Sequence, residues 1–321
     1  MTFSVRPVLV LVLVAVWPAA AGAQSPASPP PVFPVGLDVV NLTVTVLDNE
    51  GRLVDDLGAE NFEIYEDGRR QELTVFARAG GPGAEAAAPT GDPLALDLGL
   101  LMDTSESMLP ELKLSQQAAV RFLDAIPRAR DLLTIFFDHD IQVSRYDSEH
   151  QQGLVERIQS AEGGGGTALY DALAVYLSRI EDDPGRKVAV LFTDGEDSTS
   201  TVGLGQLVHL VRSSPVTVYA VAFMDHFPKG SPRATRSRST LHQLAEITGG
   251  AVFSPHSGRD LPAIYQKILD QLSAQYVLGF VSDNLSADGK FRRLKVRVDK
   301  KGVRVRHREG YYVRKAPGDS R

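Results

Sequence analysis

The chain has 321 residues, of which 43% are hydrophobic and 23% charged, with a formal net charge of -6 and no cysteine. That length suffices for one large domain with a smaller one beside it, and the hydrophobic fraction suffices for a full core. The acidic balance argues against a nucleic-acid binder, which is usually basic, and the lack of cysteine excludes a disulfide framework.

The first 23 residues have the pattern of an export signal. Arg6 lies in a short polar start, the run VLVLVLVAVW follows, and Ala21-Gly22-Ala23 forms a small-x-small cleavage site. The alternative, an uncleaved membrane anchor, is disfavoured because the apolar run is about ten residues long where about 20 are needed to span a bilayer. With no cysteine to carry a lipid, the expectation is an exported protein, periplasmic or secreted, with no membrane span after cleavage. Residues 24–36 are a Pro/Ser linker.

Residues 37–78 form an amino-terminal β unit by pattern. LDVVNLTVTVL alternates apolar and polar positions with many β-branched residues, and NFEIYEDGRRQELTVFA repeats the alternation around Asp67-Gly68, a pair that favours a two-residue hairpin. A low-complexity stretch, residues 79–93, separates this unit from the next.

From residue 94 to 273 short, continuously apolar strands alternate with amphipathic helices. Strands are predicted at 96–102, 132–137, 141–144, 187–193, 216–223 and 251–253, and helices at 110–126, 148–161, 168–181, 203–213, 238–248 and 259–273. Unbroken apolar runs suit strands covered on both faces, and strand-helix alternation implies a doubly wound, mainly parallel α/β sheet of Rossmann-like form. Residues 274–315 return to short alternating strands, with Asp288-Gly289 and Lys301-Gly302 as turns. These strands are too few for a core of their own, so they are expected to pack with 37–78 as one smaller β domain.

Sites in such sheets form outside the carboxyl ends of the strands, where the strand order reverses. Two strands end there in a carboxylate: LGLLMD delivers Asp103 and VAVLFTD delivers Asp194. Asp103 is followed at alternate positions by Ser105 and Ser107, and the loop AEGGGGTALYDAL brings Thr167 after four glycines. Helix capping explains any one of these oxygens alone. Oxygens alone, converging, specify a hard cation such as Mg2+, with Mn2+ or Ca2+ as alternatives.

Asp103-x-Ser105-x-Ser107, Thr167 in GGTALYDAL and Asp194 in TDGEDS together resemble the metal-ion-dependent adhesion site of von Willebrand factor type A (VWA) domains. The resemblance covers residues 94–273, and the flanking β segments resemble a bacterial subset of exported proteins that carry this domain. It implies that Ser105, Ser107 and Thr167 are hydroxyl ligands and that Asp103 and Asp194 bind the ion directly or through water. It further implies a binding protein of adhesion type, in which a partner protein presents an Asp or Glu to the metal. The alternative is a structural or assembly component of a cell-envelope complex whose metal site is not essential.

Neighbouring residues offer further charge and nitrogen beside that set. Lys229, Arg233, Arg236 and Arg238, in the stretch 224–239, form either a basic rim or a solvated loop, and Asp171 reads as a first-turn helix acid. His139 and His226 follow strand ends and could approach the metal edge, although a lone loop histidine is usually solvent exposed. No HExxH, GxSxG or GxxxxGK[ST] motif is present, so an enzyme is not expected.

Overall fold

In the computed structural model, residues 39–80, 92–126, 129–146, 151–180, 184–286 and 288–313 are described, and all belong to one unit spanning Val32–Arg321. The expected leader, the Pro/Ser linker and residues 81–91 of the second low-complexity stretch lie outside the described residues. In chain order the elements are β1 (Val39–Asp48), β2 (Phe62–Glu66), β3 (Arg69–Gln71), β4 (Leu73–Arg78), β5 (Leu96–Asp103), α1 (Leu112–Ala125), β6 (Asp131–Phe137), β7 (Ile141–Tyr146), α2 (Gln151–Ser160), α3 (Leu169–Arg179), β8 (Arg186–Thr193), α4 (Leu204–Ser213), β9 (Val216–Ala222), α5 (Pro232–Thr248), β10 (Ala251–Phe253), α6 (Leu261–Ser273), β11 (Tyr276–Val281), β12 (Phe291–Val298), β13 (Val303–Arg306) and β14 (Gly310–Tyr312).

The central sheet has the order β10-β9-β8-β5-β6-β7. Its pairs are parallel except for the antiparallel edge β6–β7. Every residue of β5, β8 and β9 is buried, which explains why these segments run apolar without alternation. One face packs Ala118, Phe122 and Leu123 of α1, Leu154 and Ile158 of α2, and Ile264, Ile268 and Leu272 of α6. The other packs Leu169 and Leu173 of α3, Leu207 and Val211 of α4, and Leu241 and Leu244 of α5. The domain is therefore doubly wound. Because β6 lies on one side of β5 and β8 on the other, the strand order reverses between β5 and β8.

The remaining strands form two antiparallel sheets, β13-β1-β11-β4 and β14-β12-β2-β3, each built from both ends of the chain. Between them lies a core of Leu42, Val44, Phe62, Ile64, Tyr276, Leu278, Phe280, Leu294 and Val296. Alternation along β12 supplies its inward residues, as a sheet with one buried face requires, whereas in β1 the consecutive residues Val44–Leu47 are all buried. Asp67 and Gly68, both at positive φ, make the expected hairpin between β2 and β3. Asp288-Gly289 and Lys301-Gly302 do not join paired neighbours. β11 and β12 lie in different sheets, as do β12 and β13, so these turns carry the chain across the sandwich.

α5 begins at Pro232 and not at 238 as the sequence pattern suggested. Ser231 caps it by accepting a hydrogen bond from the Ala234 amide, and Pro232 occupies the first helical turn, where its missing N–H costs nothing. Pro, Gly and Ser at 228–232 disguised a helix start as a loop. The helix ends at Gly249, whose φ of 78° lets the chain turn where a Cβ would strike the His307 backbone.

The sandwich meets the α/β domain at the edge formed by strand starts and helix ends. Arg186, at the start of β8, donates to the Leu94 carbonyl (3.0 Å), the Leu272 carbonyl (2.6 Å) and Gln275 Oε1 (3.1 Å). Arg306 donates to the Gly250 carbonyl and to Gln271 Oε1, and Arg212 pairs with Glu309 at 2.8 Å. The opposite edge, at the strand ends, is left to the loops. Since Arg186 is buried and satisfies three acceptors, Arg186→Ala is expected to lower the free energy of unfolding by about 2–4 kcal/mol in urea denaturation, through orphaned carbonyls and lost packing. A loss under about 0.5 kcal/mol would show that the junction does not depend on it.

Candidate metal centre

β5 and β8 run in register, with Met102 beside Phe192, so Asp103 and Asp194 emerge at the same edge on the two sides of the switch point. Both are fully buried. Asp103 Oδ1 accepts hydrogen bonds from the Ser105 amide (3.0 Å) and the Ser105 hydroxyl (2.5 Å), and Oδ2 accepts from the Thr193 hydroxyl (2.5 Å). Ser105 and Ser107 hydroxyls stand 3.1 Å apart. The alternate spacing of the DxSxS segment thus gathers one carboxylate and two hydroxyls. Capping does not explain it, since α1 starts after Glu111 and donates no capping bond to any of the three.

The glycine run brings the third loop against the first. Gly164 donates to the Thr104 carbonyl (2.9 Å), and Glu106 donates to the Gly165 carbonyl (3.1 Å). Gly165, at a φ of 72°, leaves no room for a Cβ beside His139. Thr167 is buried one residue before Ala168, the N-cap position of α3, so it does not cap that helix. Its backbone is fixed from the β8–α4 loop: its amide donates to the Ser198 hydroxyl and its carbonyl accepts from the Ser198 and Thr199 amides.

Nearby acids have other duties. Asp171 accepts from the Thr201 and Val202 amides, Asp197 from the Tyr170 amide and Ser200 hydroxyl, and Glu196 pairs with Arg233 at 2.6 Å. Asp138, His139 and Asp140 cluster at the β6–β7 turn, where the imidazole lies 3.1 Å and 3.4 Å from the two carboxylates and is well exposed.

Charge compensation differs sharply between the two ends of β5. At its start, buried Asp97 pairs with Arg130 and Lys187. At its end, among the described residues, neither Asp103 nor Asp194 has a Lys or Arg partner. Asp194 Oδ1 accepts from the Glu196 amide, while Oδ2 is buried with no hydrogen bond. Burial, then the neighbouring Asp194 charge, pushes the Asp103 carboxyl up to about 7, against the opposing hydroxyl bonds. Two buried carboxylates, an orphaned oxygen and a set of hydroxyls fit a hard divalent cation.

Sequence reasoning missed two residues here. Thr193, which bonds Asp103 and accepts from the Gly195 amide, looked like the last residue of an apolar strand. His226, weighed as a loop histidine of the kind usually exposed, is mostly buried with Nε2 3.3 Å from Asp194 Oδ2. The Asp194 carboxylate beside it raises the imidazole above its ordinary range.

The fold and the site define a doubly wound α/β domain with an oxygen-lined cation cradle at its switch point. The sequence pattern of the von Willebrand factor type A domain matches residues 97–267, more than half of the chain, and the chain belongs to that family. VWA domains commonly hold a divalent metal at such a site and serve as interaction domains that are generally not enzymes. Similar solved structures include a von Willebrand factor type A protein from Catenulispora acidiphila (12% identity, 89% of this chain and 76% of that one, TM-score 0.47). Others are an aerotolerance-related membrane protein from Bacteroides fragilis (14%, 56% and 98%, 0.46) and proximal thread matrix protein 1 from the mussel byssus with a zinc-occupied site of this kind (18%, 58% and 48%, 0.44). No curated protein matches the chain.

A carboxyl raised by burial makes the metal-free fold sensitive to base. The folded chain holds the Asp103 proton between the ordinary value of 3.8 and about 7, while the unfolded chain has lost it. This stability is therefore full below about 4 and lost as pH rises through 7. In chelator, unfolding free energy is expected to fall between about pH 4 and 7 by up to about 1.4 kcal/mol per pH unit and to level off above, and Asp103→Asn should flatten that slope. A metal-free slope identical in Asp103→Asn would refute this.

Proposed function

We propose that this chain is an exported binding protein whose VWA domain holds a divalent cation and captures an acidic side chain of a partner protein. The observation that carries the reading is the buried carboxylate pair Asp103 and Asp194, with no Lys or Arg partner among the described residues, the Ser105 and Ser107 hydroxyls beside Asp103, and Thr167 on the adjoining loop. Hydroxyls add no charge, so the two carboxylates roughly balance the ion. An ion so balanced stays electrophilic toward one more anionic ligand, and a partner's Asp or Glu supplies it. Ser105, Ser107 and Thr167 would ligate the ion directly, with Asp103 and Asp194 ligating it or orienting its waters.

Two further features support the reading. Arg236, Arg238 and Lys229 are exposed on α5 and the turn before it, in a protein that is acidic overall, and this basic rim favours an acidic partner and speeds its approach. Among the described residues the sandwich packs at the other edge of the sheet, by Arg186, Arg306 and Arg212, and not at the site. Among the described residues no helix is long and apolar enough to cross a membrane. The leader supports action in the periplasm or outside the cell.

The test compares melting and partner capture with divalent cation and with chelator. A divalent ion at about 100 times its Kd should stabilise the chain by about 2.7 kcal/mol, and Asp103→Ala should abolish that gain. Exported proteins retained on the immobilised chain only with cation, and not on Asp103→Ala, are the expected outcome. Cation-independent melting together with cation-independent capture would favour a structural role in an envelope assembly.

A further inference from the structure

Asp194 Oδ2, His226 Nδ1 and His226 Nε2 are buried and make no hydrogen bond of normal geometry; the one contact between the two side chains is the ion pair of Asp194 Oδ2 with His226 Nε2. Leaving such atoms unpaired costs free energy unless a ligand completes them. Asp194 Oδ2 and His226 Nε2 stand 3.3 Å apart without hydrogen-bond alignment. Two donors each about 2.0–2.1 Å from one ion stand about 2.9 Å apart at a right angle and about 3.4 Å apart at the tetrahedral angle. The observed separation falls in that range.

The imidazole is held in place by its surroundings. It follows β9 by four residues, the Phe223 amide donates to the Thr193 carbonyl (3.0 Å), and the Phe227 ring lies tilted against His226 with centroids 4.2 Å apart. The loop bearing His226 is thus tied to the end of β8, one residue before Asp194. By contrast, His139 is exposed and lies between two carboxylates of its own turn.

We propose that His226 supplies a nitrogen ligand to the cation beside Asp194, so that the site prefers a borderline divalent ion such as Zn2+ or Mn2+ over Mg2+. This rests on the reading that Asp103, Ser105, Ser107, Thr167 and Asp194 hold a cation. An oxygen-only set suits Mg2+, which dehydrates reluctantly and favours oxygen, whereas an imidazole suits zinc and its neighbours in the transition series.

The experiment is Mn2+ binding to the full chain read by electron spin-echo envelope modulation, with wild type, His226→Ala, His226→Gln and Asp103→Ala. It is paired with calorimetric titration of Zn2+ and Mg2+. The expected result is a nitrogen modulation in wild type that vanishes in both His226 variants, with Zn2+ affinity falling at least about tenfold and Mg2+ affinity changing less than about threefold. His226→Gln, which keeps a polar side chain, guards against loss of fold, and its melting curve checks that. Mn2+ binding that depends on Asp103 but shows no nitrogen modulation, or a modulation that survives in His226→Ala, overturns the His226 assignment alone. Tighter binding of either metal to His226→Ala would overturn it too, by making the imidazole a competitor of the ion. Absence of Asp103-dependent binding in wild type would instead defeat the cation reading underneath.

Discussion

The electrostatic problem at the ends of β5 and β8 governs the organisation of this protein. Parallel strands in adjacent register deliver Asp103 and Asp194 to one buried edge, and like charges there repel in a medium that screens them poorly. The same strand solves the same problem at its other end with cations, since Asp97 has Arg130 and Lys187. At the site end the chain supplies hydroxyls and backbone amides, which lower the cost of one carboxylate and leave an oxygen of the other unpaired. The glycine path at 163–166 and the interlocked loop hydrogen bonds hold that unfavourable arrangement in place.

The sandwich makes this division of labour possible. Its junction consists of arginines and carbonyls at strand starts and helix ends: Arg186 on Leu272, Arg306 on Gly250, Arg212 on Glu309. Both termini of the α/β domain enter there, so the flanking strands complete a second core without approaching the site. α5 connects the two regions, with its arginine-bearing start beside the site edge and its Gly249 end against His307.

Much of this was legible in the sequence because burial on two faces leaves no other pattern. Strands such as VAVLFT run apolar, and β12 alternates because only one face is covered. The oxygen set was legible because Asp103, Ser105 and Ser107 have fixed spacing within one loop. What escaped depends on long-range placement. Thr193 acts on Asp103 from 90 residues away, and His226 reaches Asp194 only because β9 packs beside β8. The start of α5 was hidden by Pro and Ser that serve as a cap, and the hairpin signals at 288–289 and 301–302 were true turns whose strands pair elsewhere.

The central claim, that the buried carboxylate pair exists to hold a cation, is tested most directly by anomalous diffraction from crystals of the Mn2+-loaded chain. The expected result is an ion in contact with the Ser105 and Ser107 hydroxyls and beside Asp194, absent in Asp103→Ala crystals. Strong anomalous density only at Asp138–Asp140, or none at the ends of β5 and β8 at saturating Mn2+, would contradict it.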